Sequence, residues 1–255
     1  MSALAHEVFL GTAGWAIPRA SAEAFPEVGV GLQRYAARLN AVEINSTFYR
    51  SHRPQTFERW RATTPEGFRF AVKAPRVITH VARLVGCAPC LTRFLEEIAP
   101  LAEKLGPILV QLPPGLVFDP LAAGDFLAAL RAQWSGPVVL EPRHPTWFEA
   151  GAARLLRNHR TAQVAADPAC APRAGIPGGD PAIAYWRLHG SPRLYYSPYG
   201  SDALAALAEA IVGTPARETW CIFDNTASGA AAANALALAA QLSQQAAQSS
   251  PPALR

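Results

Sequence analysis

The stretch PVVLEPRHPTWFEAGAARLLRNH, residues 137–159, contains one complete unit of the fold. It begins with an apolar run, Val138 to Leu140, that is typical of a strand buried on both faces. A helix-like segment, residues 147–159, completes the unit. Between the two lie Glu141, Arg143 and His144, which a chain does not need at a strand end in order to fold. The stretch therefore predicts a strand with polar groups at its carboxyl end and a helix after it.

The same unit recurs along the chain. The predicted strands are eight short apolar runs, at residues 8–15, 41–46, 68–74, 107–113, 137–143, 161–167, 182–190 and 219–225. Helix-like segments separate most of them, at residues 32–39, 91–105, 121–134, 147–159, 204–212 and 227–247, with a kink expected at Pro100. Residues 168–181 are rich in Pro and Gly, so a loop is expected in place of the sixth helix.

This alternation predicts an α/β fold, a (β/α)8 TIM-barrel-like single domain over residues 1–247 with a flexible tail at 248–255. The main alternative is an open doubly wound sheet. Eight units and the absence of a Gly-rich phosphate loop favour the barrel.

Composition sets broad limits on function. The chain has 255 residues, is 50% hydrophobic and carries a formal net charge of +4, which is typical of a globular protein with a mild preference for anions such as phosphate or nucleic acid. We find no transmembrane segment and no secretory signal, so we expect a cytoplasmic location and no membrane partner.

The cysteines form no recognisable metal site. Cys87 and Cys90 stand in a C-x-x-C pattern, but Cys170 and Cys221 lie singly and far from it. Because a structural zinc site needs a second ligand pair at suitable spacing, two incidental small residues are favoured over a metal or redox role.

Polar and aromatic side chains follow the predicted strands, where a barrel of this type carries its function. They are Thr12, Trp15, Glu43, Asn45, Tyr49, Lys73, His80, Gln111, Glu141, Arg143, His144, Asp167, Arg187, His189, Asp224 and Asn225. Buried charges cost several kcal/mol each unless they are paired. The pattern predicts a polar cleft at the barrel mouth, and the alternative is a ring of groups that pair with one another and plug it.

Several chemical roles are open to these groups. Lys73 is predicted to be a base, a Schiff-base former or an anion clamp, unless it pairs with Glu43 or Glu141. His144 and His189 are candidate acid–base groups or metal ligands, and the alternative is a hydrogen bond to a carboxylate.

A divalent metal on Glu141, Asp167 and Asp224 is only weakly supported, because no H-x-H or H-E-x-x-H spacing accompanies them. Arg143, Arg187 and Lys73 could instead bind phosphate or carboxylate.

The loop HGSPRLYYSPYGSD, residues 189–202, adds an aromatic surface. Arg193, Tyr195, Tyr196 and Tyr199 could stack on bases or sugars, or could pack as a lid on the rim of the barrel.

These residues resemble a known family. The motifs that carry the resemblance run from about Phe9 to Leu242 and read GTAGW, VEINSTFYR, FRFAVKAPRVITH, KLGPILVQLPP, LEPRHPTW, YWRLHG and FDNTASGAAAANA. They are similar to those of the YecE-like family (domain of unknown function 72), which implies a TIM-barrel-like fold without implying an activity. The matching motif residues are Glu43, Asn45, Tyr49, Lys73, His80, Gln111, Glu141, Arg143, His144, Arg187 and His189. Asp224 departs from the usual Phe-Asn-Asn pattern and favours a contact with a cation or a hydrogen-bond donor.

The leading hypothesis is an enzyme that acts on a phosphorylated or other anionic substrate, with phosphoester hydrolysis as the first reaction considered. The predicted catalytic residues are Glu43, Lys73, Glu141, His144 and His189. The predicted substrate-binding residues are Asn45, Tyr49, His80, Gln111, Arg143, Arg187, Tyr196, Asp224 and Asn225. The alternatives are a lysine-dependent lyase or isomerase, and a non-catalytic nucleic-acid-binding module.

Overall fold

The computed structural model of the protein describes residues 7–249, and within them a barrel-like sheet forms the centre of the molecule. Its strands are β1 (Glu7–Ala13), β2 (Ala41–Ile44), β3 (Arg69–Lys73), β4 (Leu105–Gln111), β5 (Val138–Glu141), β6 (Ala162–Gln163), β7 (Ala165–Asp167), β8 (Gly178–Gly179), β9 (Ile183–Leu188) and β10 (Glu218–Phe223). Their order is β7-β9-β10-β1-β2-β3-β4-β5-β6-β8, and every pairing is parallel except that of β8 with β6. The predicted TIM-barrel-like α/β fold is confirmed.

The sixth predicted strand brings the two edges of the sheet together. Its first half, β6, pairs with β5, and its second half, β7, pairs with β9. Val164 lies between the halves, and its N–H still donates to the carbonyl of Leu140 at 2.9 Å. The sheet is therefore a nearly closed barrel in which one short strand changes partners.

Helices surround the sheet. They are α1 (Gly31–Ala36), α2 (Pro54–Thr63), α3 (Ala88–Ile98), α4 (Pro120–Arg131), α5 (Ala150–Asn158), α6 (Ser201–Val212) and α7 (Ala230–Ser249). Within the described part of the chain, residues 168–181 hold a short 3-10 turn and β8 but no α-helix, as the Pro/Gly content predicts.

Two helices differ from the sequence prediction. Helix α2 was not predicted, because Phe57 is its only buried side chain and its apolar pattern is faint. The segment predicted as one kinked helix at 91–105 ends as an α-helix at Ile98, and a 3-10 helix from Ala99 to Lys104 follows, with Ala102 at φ 48°. The break confirms the disruption expected at Pro100.

The inside of the barrel has an apolar floor. Phe9, Tyr185 and Trp220 stack there, with ring centroids 4.6 Å apart for Phe9 and Trp220 and 6.1 Å for Tyr185 and Trp220. Gly106 makes room for this layer, since a Cβ at that position would lie 2.5 Å from Trp220 Cη2. The lower interior is thus filled by side chains, and the polar residues lie in the layer above it.

The predicted boundary between domain and tail falls inside helix α7, which continues to Ser249. The rest of the predicted tail, residues 250–255, lies outside the described residues, and the single-domain assignment to 1–247 stays a prediction. Over residues 7–249, no helix has both the length and the apolar character needed to cross a membrane.

Candidate active site at the barrel mouth

Strand alternation builds the polar layer. The inner cluster includes Ala41, Ala71, Leu109, Val139, Tyr185 and Ile222. Since side chains alternate between the faces of a strand, the residue two positions further along each strand points inward one layer higher. Those residues are Glu43, Lys73, Gln111, Glu141, Arg187 and Asp224. Parallel strands place all six at the same end of the barrel.

Arg187 is the centre of this layer. Its Nε donates to Glu43 Oε2 at 2.9 Å, its Nη2 donates to Glu43 Oε1 at 2.6 Å, and its Nη1 donates to Glu141 Oε2 at 2.8 Å. Nη2 also contacts Asp224 Oδ2 at 3.1 Å. One fully buried guanidinium therefore joins carboxylates from three other segments of the barrel wall.

His189 extends the same arrangement. Its Nδ1 lies 2.9 Å from Asp224 Oδ2, and its Nε2 lies 2.9 Å from Glu141 Oε1. Arg143 Nη2 reaches Glu141 Oε1 at 2.6 Å and His189 Nε2 at 2.8 Å. We call Glu43, Glu141, Arg143, Arg187, His189 and Asp224 the mouth network.

The mouth network lowers the pKa of two of its carboxylates, Glu141 and Asp224. Burial raises the pKa of Glu141, but Arg187, His189 and Arg143 outweigh it and hold that pKa well below its ordinary value. The pKa of Asp224 is lowered in the same way, by Arg187 and His189 against burial. Asp224 departs from the family pattern, and its carboxylate makes the contact with a cation, Arg187, that this departure predicts.

This pairing changes two predicted roles. Arg187 is saturated by carboxylates and has no exposed surface, so it organises the site and does not present itself to an anion as predicted. Glu141 accepts a hydrogen bond from Arg187 and lies 2.9 Å from His189 Nε2, and its lowered pKa makes it a weak proton acceptor, unlike the predicted general base. Glu43 accepts from Tyr185 OH and from two nitrogens of Arg187. Arg187, Glu43 and Glu141 therefore follow the alternative prediction, in which the polar groups at the barrel mouth pair with one another.

Lys73 stands outside the pairing. Its Nζ lies 4.3 Å from the centroid of the Phe48 ring, and no carboxylate of residues 7–249 forms an ion pair with it. Lys73 is 8% exposed, and burial together with the charge of Arg187 lowers its pKa to about 8, although Glu43, Glu141 and Asp224 act in the opposite direction. The predicted ion pair of Lys73 with Glu43 or Glu141 is therefore not formed.

His80 shares the Phe48 ring with Lys73. The His80 and Phe48 centroids are 5.0 Å apart, edge to face, and His80 Nδ1 lies 2.8 Å from Thr79 Oγ1. Burial, Lys73 and Arg76 all lower the pKa of His80. Tyr49 also meets Phe48 edge to face but is 75% exposed, at the outer rim.

His144 has a structural contact of its own. It is the N-cap of the 3-10 helix Pro145–Phe148, and its Nδ1 lies 2.9 Å from Thr146 Oγ1. Within residues 7–249, no hydrogen bond or ion pair joins its side chain to the mouth network. Its predicted acid–base role draws no support from its position.

The predicted amide groups lie around the network. Asn225 Nδ2 donates to Ser197 O at 3.0 Å and to Asn234 Oδ1 at 2.9 Å, whereas Gln111 is half-buried at the end of β4. Four buried polar atoms have no hydrogen-bond partner within the described residues, namely Asn45 Oδ1, Arg143 Nε, Asn225 Oδ1 and Gln241 Oε1. The first three follow strands at the barrel mouth, whereas Gln241 lies on α7. Orphaned atoms are rare in folded proteins, so each calls for a partner such as a water, an ion or a ligand.

The aromatic loop packs mainly on itself and on the rim. Arg193 Cζ lies 3.9 Å above the Tyr196 ring, which covers the face predicted to stack on a base. Tyr199 OH donates to Asp167 Oδ2 at 2.6 Å and so occupies that predicted metal-binding carboxylate. Tyr195 meets His189 edge to face, with centroids 5.8 Å apart.

Two functional neighbours escaped the sequence reasoning. Tyr185 OH donates to Glu43 Oε2 at 2.8 Å, and the ring of Phe48 contacts the ammonium of Lys73. The two-residue period could have found Tyr185, which lies two positions before Arg187 on β9. The position of Phe48, on the 3-10 helix Ser46–Phe48 after β2, has no sequence signal of that kind.

The last predicted features to compare with the structure are a metal site and the four cysteines. Over residues 7–249, no three His, Cys, Asp or Glu side chains are grouped so that they could hold a metal ion. Cys87, Cys90, Cys170 and Cys221 are all free thiols, and burial raises the pKa of Cys87.

Fold and site together define a TIM-barrel-like protein whose mouth is lined by an ion-paired layer with one unpaired lysine. The chain belongs to the family described as "Protein of unknown function DUF72", which matches it over residues 9–255. The resemblance identified from the motifs is confirmed.

Relatives agree with this assignment. The chain is 34% identical over 148 residues to the UPF0759 protein YecE of Escherichia coli (strain K12), a match that covers 56% of this chain and 51% of the relative, so the chain spans about half the length of the curated relatives it matches. The crystal structure of a DUF72 family protein from Thermotoga maritima is similar at 28% identity and a TM-score of 0.76, covering 95% of this chain and all of that one. A DUF72 family protein from Enterococcus faecalis, 22% identical, shares the fold with a TM-score of 0.76 over 92% of this chain and 95% of its own.

Proposed function

We propose that this protein is an enzyme that binds a small anionic substrate, phosphorylated or carboxylated, at the barrel mouth. Arg143 and Lys73 are the groups that bind the anion, and Lys73 is the group that exchanges a proton with it. The observation that carries the proposal is the unpaired, nearly buried ammonium of Lys73 beside three carboxylates that are already paired with other cations.

The pattern of ion pairs supports an anion as the ligand. The carboxylates of Glu43, Glu141 and Asp224 meet the guanidinium groups of Arg187 and Arg143 and the ring of His189. Within residues 7–249 Lys73 forms no ion pair with them, so its ammonium is available to an anionic ligand. Desolvated cations attract anions more strongly than exposed ones do, because water screens them less.

Lys73 is also the best placed proton acceptor. With a pKa of about 8, a fraction of its amine is neutral near physiological pH, whereas the pKa of Glu141 is held well below its ordinary value. This favours the lysine-dependent chemistry of a lyase or isomerase over phosphoester hydrolysis with Glu141 as base. The cytoplasmic location and nucleic acid as a partner stay predictions.

The test uses the fact that Lys73 and Lys104 are the two lysines of the chain. In protein labelled with ¹³C-lysine, the two Cε resonances are followed against pH, without ligand and with inorganic phosphate or malonate. We expect either anion to move the Lys73 resonance and raise the pKa of Lys73, and to leave Lys104 unchanged.

Arg143→Gln is expected to weaken the binding of phosphate or malonate at least tenfold. Arg217→Gln is the matched control, because Arg217 is exposed and precedes β10 at the opposite end of the barrel, and it should leave binding unchanged. A Lys73 resonance that ignores phosphate and malonate at millimolar concentration would contradict the proposal.

A further inference from the structure

We infer that Lys73 forms a Schiff base with a carbonyl compound that also carries a carboxylate or phosphate group. The inference rests on the proposed function and deepens it, because it names the reactive group of the substrate. The class of ligand is a 2-oxo acid or a phosphorylated aldehyde or ketone.

The surroundings of Lys73 fit an amine nucleophile. A lysine attacks a carbonyl carbon only as the neutral amine, and burial beside another cation is the usual way to make that form available. Lys73 is 8% exposed, contacts the ring of Phe48 and has no carboxylate partner within residues 7–249. A salt bridge would hold the amine protonated, but within residues 7–249 the neighbouring carboxylates pair with Arg187, Arg143 and His189 instead.

Two of the four orphaned atoms offer hydrogen bonds of the kind that the rest of such a substrate needs. Arg143 Nε is a buried donor without a partner, and a carboxylate or phosphoryl oxygen is the acceptor that a guanidinium binds best. Asn45 Oδ1 is an acceptor without a partner, and it lies directly before the 3-10 helix that carries Phe48. A hydroxyl group of the ligand would satisfy it.

The reaction balances without an oxidant or a reductant. The lone pair of Nζ forms a bond to the carbonyl carbon, and the π electrons of the C=O bond move to the oxygen, which takes up the proton that the nitrogen gives up. The oxygen of the resulting carbinolamine takes a second proton from solvent and leaves as water when the C–O bond breaks. The nitrogen lone pair then forms the C=N bond, and the protonated imine is an electron sink for breaking a neighbouring C–H or C–C bond.

The experiment is reductive trapping in the intact protein. Pyruvate is added with sodium borohydride, whose hydride reduces the C=N bond to a stable secondary amine, and peptide mass mapping then locates the adduct. Lys104 serves as an internal control, because its ammonium is buried and donates to Arg61 O at 2.8 Å and Thr64 O at 2.6 Å. Acetone, which lacks the anionic group, is the control ligand.

We expect the adduct on Lys73 at least ten times more often than on Lys104, its loss in Lys73→Met, and a tenfold decrease in Arg143→Gln but not in Arg217→Gln. Trapping with acetone should be weaker than with pyruvate after each is normalised to free Nα-acetyl-lysine in the same reaction. The rate should rise with pH up to about 8, as the amine loses its proton.

Labelling of Lys73 no faster than that of free Nα-acetyl-lysine, with pyruvate or with glyceraldehyde 3-phosphate, would overturn the inference. If phosphate still moved the Lys73 resonance in that case, the anion site would stand and only the Schiff base would be wrong. If neither occurred, the proposed function would be wrong as well.

Discussion

Replacing Lys73 by Met should make the protein more stable at neutral pH. Lys73 is 8% exposed and its pKa lies near 8, against an ordinary value of 10.5. This difference corresponds to about 3 kcal/mol by which the fold disfavours the charged ammonium. The contact with Phe48 returns about 0.5–2 kcal/mol, so we expect Lys73→Met to raise the free energy of unfolding by about 1–3 kcal/mol.

The stability gained by Lys73→Met should depend on pH. Because the folded state binds this proton less tightly than the unfolded state, the destabilisation is complete below the folded pKa of about 8. As pH rises from about 8 to 10.5, the unfolded chain keeps a proton that the folded chain has lost, and the wild type recovers stability. The advantage of Lys73→Met should therefore shrink over this interval.

Urea unfolding at about pH 7 and about pH 10 measures both effects, provided that the m value does not change. Lys104→Met is the matched control, because that ammonium donates to Arg61 O, Thr64 O and Thr64 Oγ1 and its loss leaves buried acceptors unsatisfied. It should destabilise the protein by about 1–3 kcal/mol. If Lys73→Met also destabilised the protein, or if its gain were the same at both pH values, the description of Lys73 as an unpaired buried cation would be wrong.

Three further results are expected. Glu141→Gln should lower the free energy of unfolding by about 3–5 kcal/mol in urea titrations, since it removes the partner of a buried guanidinium; a loss below about 1 kcal/mol would contradict this. Because the pKa values of Glu141 and Asp224 are lowered in the folded state, the stabilisation by these carboxylates is present at neutral pH and is lost as pH falls below about 4. Asp224→Asn should therefore reduce the loss of unfolding free energy on acidification. An unchanged acid dependence would contradict this. Gly11→Ala should disrupt the β1–β2 pairing and lower the melting temperature, because its Cβ would lie 2.0 Å from Ala41 O. Gly115→Ala is the control, since the space around Gly115 is open, and it should melt close to the wild type. Equal melting temperatures for the two variants would contradict the close approach at Gly11.

The barrel could be predicted from sequence because its signal is repeated. Each strand is an apolar run followed by a polar residue, and the register of parallel strands brings those residues to one end. The sixth strand shows the limit of this reasoning. Residues 161–167 are predicted as one strand, but pairing divides them at Val164, and an exchange of partners leaves no mark on an apolar pattern.

The meeting of five of the predicted polar residues at the barrel mouth was predictable, whereas the pairing of charges among them was not. Glu43, Glu141, Arg187, His189 and Asp224 do meet at the mouth, yet which cation pairs with which carboxylate depends on distances of a few ångströms. Lys73 and Arg187 are equivalent as sequence features, since both are bases at strand ends. Their different environments follow from Phe48, whose place depends on a short 3-10 helix.

The arrangement around Arg187 has a consequence for how the chain can change over time. Its guanidinium is a shared partner of three carboxylates, so the effect of losing one carboxylate depends on whether the others are present. Substitutions at these positions should be strongly non-additive in double-mutant cycles. A lineage that alters one member of this set is therefore expected to alter the others with it.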